Sequence, residues 1–479
     1  MAHCEILNAH EVLASLPAAP DETQVDALLE RELLDFNKKI IVLDDDPTGV
    51  QTVHGVSVYT DWTPDSIDAG FAEKQSMFFI LTNSRGFTAA ETKHAHEEIA
   101  RVIQQTAAKH NKDFIIISRG DSTLRGHYPL ETEVLKNTVE AESDRSFDGE
   151  VIMPFFQEGG RLTIDNIHYV QDGEQLVPAG KTEFAKDRTF GYNASHLGEW
   201  AEEKSNGAFK AENAVYLSLE DIRALRIDHL AEQLMSVTDF NKVIVNAVKY
   251  VDAKIVVIAL IRAMKSGKQF MFRSAAALTK IIGGISDKAL LTKEELVTEP
   301  SENGGLIMIG SHVKKTTEQF EVLKTADFIE FIEFDVHLVL HPEQFEAEIK
   351  RVIDTSERLI RQGQTVAVYT KRERLDLGDN RQEEELKLSV KISDAVTSIV
   401  KNLQVRPSFI IAKGGITSSD IGTNGLSVQR ATVAGQIQPG IPVWLTGSES
   451  KFPGMAYVIF PGNVGSKTSL KEVAEILHG

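Results

Sequence analysis

From residue 39 onward, short apolar runs that stop on polar or charged residues alternate with stretches of helical periodicity. KIIVLDD (39–45), SMFFILTNSR (76–85) and DFIIISRGDST (113–123) are followed by GEVIMPFF (149–156) and KVIVNAV (242–248). Runs this short, rich in Ile, Val and Phe, read as buried strands. Between them, ETKHAHEEIARVIQQTAAKH (91–110) places Ile99, Val102, Ile103 and Thr106 on one side of a helix. Such alternation points to an α/β fold with a largely parallel sheet flanked by helices. Ligands of open α/β sheets bind outside the carboxyl ends of the strands, where this chain concentrates its charge.

Residues 1–39 read as a helical extension. DETQVDALLERELLDF aligns Val25, Leu28, Leu29, Leu33 and Phe36, and Pro20 with Asp21 marks a helix start. The turn-rich SENGG at 301–305 precedes a fresh strand, LIMIGS, and sets a boundary there. A second alternation follows through FIEFIEFDV (328–336), QTVAVYTKR (364–372), a helix at 387–403, SFIIAKGG (408–415), PVWLTG (442–447) and AYVIFPGNVG (456–465). The expected plan is therefore an extension (1–39) and two domains (40–300 and 301–479), each a largely parallel sheet flanked by helices.

Composition narrows the partners. The chain of 479 residues carries a formal net charge of −19, which argues against nucleic acid or an anionic membrane surface as the main partner. A small anion needs only a local group of arginines. One cysteine, Cys4, excludes a disulfide framework and a cysteine zinc site, and reads as an incidental thiol. No apolar run approaches the roughly 20 residues of a membrane helix, and the first residues lack the pattern of a signal peptide. A cytoplasmic protein is expected, and the size of the scaffold suggests a homodimer.

Three strand ends in the first half carry chemistry. The first is Asp44, Asp45 and Asp46, with Thr48 and Gly49. The second is Asn83, Ser84 and Arg85. The third is Ser118, Arg119, Gly120, Asp121, Ser122, Thr123, Arg125 and His127. Three adjacent carboxylates repel and raise one another's pKa unless a cation sits among them. Neighbouring strands would gather carboxylates, hydroxyls and three arginines, a set suited to a hydroxylated carboxylic acid. Arginine pairs with its carboxylate, and aspartate accepts from its hydroxyls or acts as general base. IVLDDDPT also fits the Asp-x-Asp-x-Thr of haloacid-dehalogenase-type phosphatases, with Asp44 as nucleophile and Asp46 as acid–base residue. That scheme needs a late acidic pair for Mg²⁺, and a lone Asp121 between arginines does not supply it.

In the second half, three glycine-bearing turns follow strands: Gly310, Ser311 and Lys314; Gly414 and Gly415 with Ser418, Ser419 and Asp420; and Gly462, Gly465, Ser466, Lys467 and Thr468. Glycines let backbone N–H groups approach an anion, and Ser418, Ser419 or Asp420 would cap the next helix. Together they suggest a nucleotide site, although neither the P-loop spacing nor Gly-x-Gly-x-x-Gly is present.

These motifs resemble the four-carbon acid sugar kinase family, once catalogued as a domain of unknown function, over nearly the whole chain after residue 39. Its Asp-Asp-x-Thr-Gly matches Asp45, Asp46, Thr48 and Gly49. Its Asp-Ser-Thr-x-Arg-Gly matches Asp121, Ser122, Thr123, Arg125 and Gly126. PFFQEGGR, ending in Gly160 and Arg161, matches a third segment. In the C-terminal half, Gly310 and Ser311, the loop Gly414, Gly415, Ile416 and Thr417, and the pair Gly462 and Asn463 complete the pattern. The chain departs from it at Asp44, Pro47, Ser118, Arg119 and Ile416, the last standing where many members have an acidic residue.

The resemblance implies an ATP- and Mg²⁺-dependent kinase acting on threonate, erythronate or a 3-oxo-tetronate, with its active site in the interdomain cleft. It implies Asp45, Asp46, Arg85, Ser118, Arg119, Gly120, Asp121, Ser122 and Arg125 as substrate-binding residues. Asp121 or Asp46 would orient or deprotonate the attacking hydroxyl, Asp121 being preferred, with Arg85, Arg119 and Arg125 on the carboxylate of the acid and on the transferring phosphoryl charge. Ser311, Gly414, Gly415, Ile416, Thr417, Gly462 and Asn463 would hold ATP, and Asp44 and Asp45 a metal ion. A phosphatase and a non-catalytic ligand-binding protein remain the alternatives, separated from the kinase by ATP binding.

Overall fold

The computed structural model describes residues 5–298, 301–373 and 382–479. Cys4 lies outside the described residues. Two compact units emerge. The first takes the chain up to Asp45 and then Asp61–Asp287; the second takes Asp46–Thr60 and Lys288–Gly479.

The first unit is built on seven parallel strands in the order Val215–Leu217, Asn241–Val245, Gly149–Met153, Phe270–Ser274, Phe114–Arg119, Lys39–Asp44 and Met77–Leu81. The strands Lys39–Asp44, Met77–Leu81 and Phe114–Arg119 are buried at every position, as expected of a parallel sheet covered on both faces. Register then fixes the site: Asp44 pairs with Arg119 on one side and Leu81 on the other, and Arg119 pairs with Ser274. Four strands therefore end level with one another.

The helix read at 91–110 spans Ala89–His110, opened by a capping box between Thr88 and Glu91. The amino-terminal helix, Glu22–Leu34, is capped by Asp21 as its sequence predicts. It belongs to the first unit rather than standing apart. Lys254 pairs with Glu22 and Asp26, and Arg262 and Lys265 pair with Glu32, tying it to the buried helix Tyr250–Lys265.

Beside this sheet runs an antiparallel one, in the order Leu7–Asn8, Gln175–Pro178, Ile167–Asp172 and Arg161–Ile164. Its first hairpin turns on Asp165 and Asn166, both left-handed (φ 50° and 65°), the two-residue turn whose twist suits antiparallel strands. The Asp-Asn pair is a turn signal legible in the sequence, outside the strand pattern given above.

In the second unit, parallel strands run in the order Ala456–Phe460, Ile410–Lys413, Leu306–Ile309, Thr365–Thr370 and Ile329–Phe334. Three further strands, Ile441–Thr446, Arg430–Gln438 and Ser57–Tyr59, extend the sheet antiparallel from Ala456–Phe460. Residues 46–60 join this unit because Ser57–Tyr59 pairs with Arg430–Thr432. The unit also starts before Ser301, since Leu291 and Leu296 pack into its core with Phe320, Phe409 and Phe460. Among the described residues no helix is long and apolar enough to cross a membrane.

Candidate functional site

The level strand ends of the first unit bring the expected residues together and give the three aspartates their partners. Asp45 takes the Arg85 guanidinium on both oxygens, at 3.1 Å from Nε and 2.6 Å from Nη2. Arg119 Nη1 lies 3.1 Å from Asp44 Oδ1 and 3.7 Å from Asp45 Oδ1. Asp44, Asp45 and Arg119 are each no more than 3 % exposed, so these pairs act with little screening by water. Asp46 instead closes the next turn, its Oδ1 accepting from the Thr48 amide at 2.8 Å and from the Thr48 hydroxyl. Asp44, the nucleophile of the phosphatase reading, is buried and engaged with Arg119.

The loop after Arg119 wraps one carboxylate that is largely removed from solvent. Asp121 accepts from Arg125 Nε at 2.7 Å and from the Thr123 hydroxyl. Burial would raise the Asp121 carboxyl, but the Arg125 and Arg85 guanidiniums outweigh it and hold the group well below the usual carboxylate range. Asp121 is thus ionised at neutral pH and a strong acceptor.

The loop leans on a residue the sequence did not single out. Arg273, next to last in its strand, sends Nη1 to Glu131 Oε2 (2.6 Å) and to Ser118 Oγ (3.1 Å), and Nη2 to the Arg125 carbonyl (3.3 Å). Gly120 and Gly126 sit directly against this guanidinium, where a Cβ on either would collide with it. Gly126 also has φ 124°, a conformation open to glycine. Ser84 Oγ completes the buried group by donating to Glu131 Oε1 at 2.7 Å.

The hairpin supports the loop from another side. His168 Nε2 is 2.8 Å from the Ser122 carbonyl and Nδ1 is 3.0 Å from Thr163 Oγ1. The ring is fully buried, and burial pushes its pKa down to about 4. An unfolded histidine charges near pH 6.5. Stability from the neutral ring is therefore complete above that pH and is lost as pH falls toward 4, by about 3 kcal/mol in all. His168→Gln should remove that part of the pH dependence; urea unfolding at pH 4.5 and pH 7 measures it, and an unchanged difference would contradict it.

In the second unit, the three glycine turns lie at the ends of adjacent parallel strands. Gly414 adopts φ 121° and abuts the Ser311 Cβ, while a Cβ on Gly310 would strike the Thr417 hydroxyl. Ser311 Oγ lies 3.6 Å from where a Cβ on Gly462 would stand. Thr316 Oγ1 lies 3.3 Å from Ser311 Oγ and 3.4 Å from the Gly462 carbonyl, and Arg372 Nη1 donates to the Ser311 carbonyl at 2.7 Å. Nothing lies within 4 Å of where a Cβ on Gly415 would stand, Ile416 beside it is 74 % exposed, and Asn463 is exposed too. Ser418, Ser419 and Asp420 do not cap a following helix as expected. They lie inside the short helix Gly415–Asp420, where Ser418 Oγ donates to its own preceding loop. Lys413 is fully buried against the Phe460 ring with Nζ on the Pro461 carbonyl, and burial lowers its pKa to about 6. It pins two of the glycine turns together.

Among the described residues one group of carboxylates could hold a divalent cation. Asp44, Asp45 and Asp46 each offer an oxygen within 4.8 Å of the others, and hard carboxylate oxygens suit Mg²⁺.

Residues 40–282 match the family model of a sugar-binding N-terminal domain, and residues 306–470 that of a nucleotide-binding C-terminal domain. No curated protein matches the chain. Among solved structures, Haemophilus influenzae protein HI1011, of the domain family DUF1537, is 17% identical with a TM-score of 0.58, over 91% of this chain and 99% of that one. A protein of Salmonella typhimurium LT2 bearing a provisional tRNA-synthase label is 15% identical with a TM-score of 0.63, over 90% and 97% of the two chains. At these identities the likeness concerns the fold.

Proposed function

Since the chain belongs to the four-carbon acid sugar kinase family, with a sugar-binding domain followed by a nucleotide-binding domain, we propose that it transfers the γ-phosphoryl group of ATP to a hydroxyl of a four-carbon acid sugar such as threonate, erythronate or a 3-oxo-tetronate. One observation carries the reading: Asp121, ionised and largely enclosed, sits among Arg85, Arg125 and Thr123 at the strand ends of the sugar-binding domain. Asp121 accepts a hydrogen bond from the attacking hydroxyl and directs its lone pair. Its depressed pKa makes it an orienting group first and a proton acceptor only as the hydroxyl becomes acidic during transfer. Arg125 neutralises developing phosphoryl charge, and Asp45, Asp46, Arg85, Arg119, Ser118, Gly120 and Ser122 shape the rest of the site.

Phosphoryl transfer depends mainly on positioning and charge neutralisation. Gly414, Gly415, Thr417, Ser311 and Gly462 offer backbone and hydroxyl donors to the phosphates of ATP, with Ile416 and Asn463 at the rim. Oxygens of Asp44 and Asp45 would hold Mg²⁺, which when bound offsets phosphate charge.

Calorimetry with ATP separates the readings. The kinase binds ATP, and Gly414→Ala, which strains φ 121° and crowds Ser311, should weaken that binding at least about tenfold. A wild-type chain that does not bind ATP would favour the phosphatase or the non-catalytic binder.

A further inference from the structure

The arginines at the sugar-binding strand ends differ in what they already hold. Arg85 is bidentate on Asp45, Arg119 pairs with Asp44, Arg125 with Asp121, and Arg273 with Glu131. Arg161 is different. It opens the strand Arg161–Ile164, just after the PFFQEGG turn, and makes no ion pair among the described residues. Its Nη1 donates to the Gly159 carbonyl, while its Nε is buried with no hydrogen-bond partner. A buried charge is ordinarily paired and hydrogen-bonded. Burial lowers its pKa, and the attraction of Asp121 does not make up the difference.

Phe184 sets the orientation. Its ring lies under two guanidiniums, 5.1 Å from Arg125 and 5.9 Å from Arg161, so the two planar groups share an aromatic floor. Arg125 is committed to Asp121 through Nε and has Asp187 at 3.9 Å from Nη1. Arg161 has donors to spare, in the planar fork that matches a carboxylate.

We propose that Arg161, held over Phe184 beside Arg125, recognises the carboxylate of the substrate and selects acid sugars over the corresponding alditols. The proposal rests on the acid-sugar reading above and adds to it the residue that reads the charged end. Arg85 and Arg119, which the sequence also offered for the carboxylate, are already bound to Asp45 and Asp44 and hold those side chains in place at the strand ends.

The test uses the full chain, with D- and L-threonate, D- and L-erythronate, threitol and erythritol titrated in a calorimeter and ADP release read separately. The wild type is expected to bind at least one acid and to bind its alditol far more weakly. Arg161→Met should weaken acid binding about 10- to 100-fold, the loss of a charge-assisted pair, with ATP binding and the thermal midpoint held near wild type. Arg161→Lys, which keeps the charge and loses the fork, should fall between. Acid binding by Arg161→Met within threefold of wild type would overturn the assignment, as would a wild type that binds none of the four acids. Acid binding that depends on Arg161 without ADP release would remove the kinase reading and leave the carboxylate assignment in place.

Discussion

Asp121→Asn should lower kcat on the preferred acid by about 10²- to 10⁴-fold, the usual worth of a positioned acid–base group, while ATP affinity stays unchanged. Asparagine keeps the size of the side chain and one acceptor oxygen, so Thr123 or Arg125 retains a partner. What is lost is the negative charge that the two guanidiniums hold in place. Without it the attacking hydroxyl has no anionic acceptor, and the carboxylate nearest Arg125 becomes that of Asp187, 3.9 Å from Nη1. The comparison is made on kcat at saturating acid and ATP, with circular dichroism confirming the fold. A variant within tenfold of wild type would remove Asp121 from the reaction and leave it a support for its loop.

Arg273→Met should destabilise the N-terminal domain by about 3–5 kcal/mol, because it leaves the Glu131 carboxylate buried without its cation. Glu131 is 1 % exposed and is left with the Ser84 hydroxyl and with His96, whose Nε2 is 4.0 Å away. The double variant Arg273→Met with Glu131→Met removes both charges and should recover much of the loss, since apolar replacement of a whole buried pair is often close to neutral. Urea unfolding of the two variants reads that difference. Equal destabilisation in the single and double variants would mean that the guanidinium matters through packing and not through its pairing. The double variant should still bind acid poorly, because Gly120 and Gly126 would have lost the surface they rest on.

Much of the site was legible because charge at the end of an apolar run has few explanations. Asp44, Asp45, Arg85, Arg119 and Asp121 stand at or just past the ends of parallel strands, and the register puts Asp44 beside Arg119. The glycine turns at 310, 414 and 462 were legible for the same reason. Arg273 was not, since an arginine near the end of FMFRS looks like a surface ion pair until the strand is placed beside Phe114–Arg119. Its partner Glu131 lies on a different element, and no local pattern links the two. The passage of residues 46–60 into the second unit depends likewise on pairing with Arg430–Thr432, a contact between distant parts of the chain. Arg161 was visible as part of a motif, but its lack of an ion-pair partner is a property of three-dimensional packing.

ATP-dependent phosphorylation of an acid sugar is read by ADP release. The full chain is incubated with Mg-ATP and, in turn, D- and L-threonate, D- and L-erythronate, 3-oxo-tetronates and longer aldonates, with phosphorus NMR on the products. The expected result is ADP release that depends on one of the four-carbon acids, matched mole for mole by a phosphorylated acid and abolished in Asp121→Asn. No acid-dependent ADP release, in a chain that is folded and saturated with ATP, would contradict it.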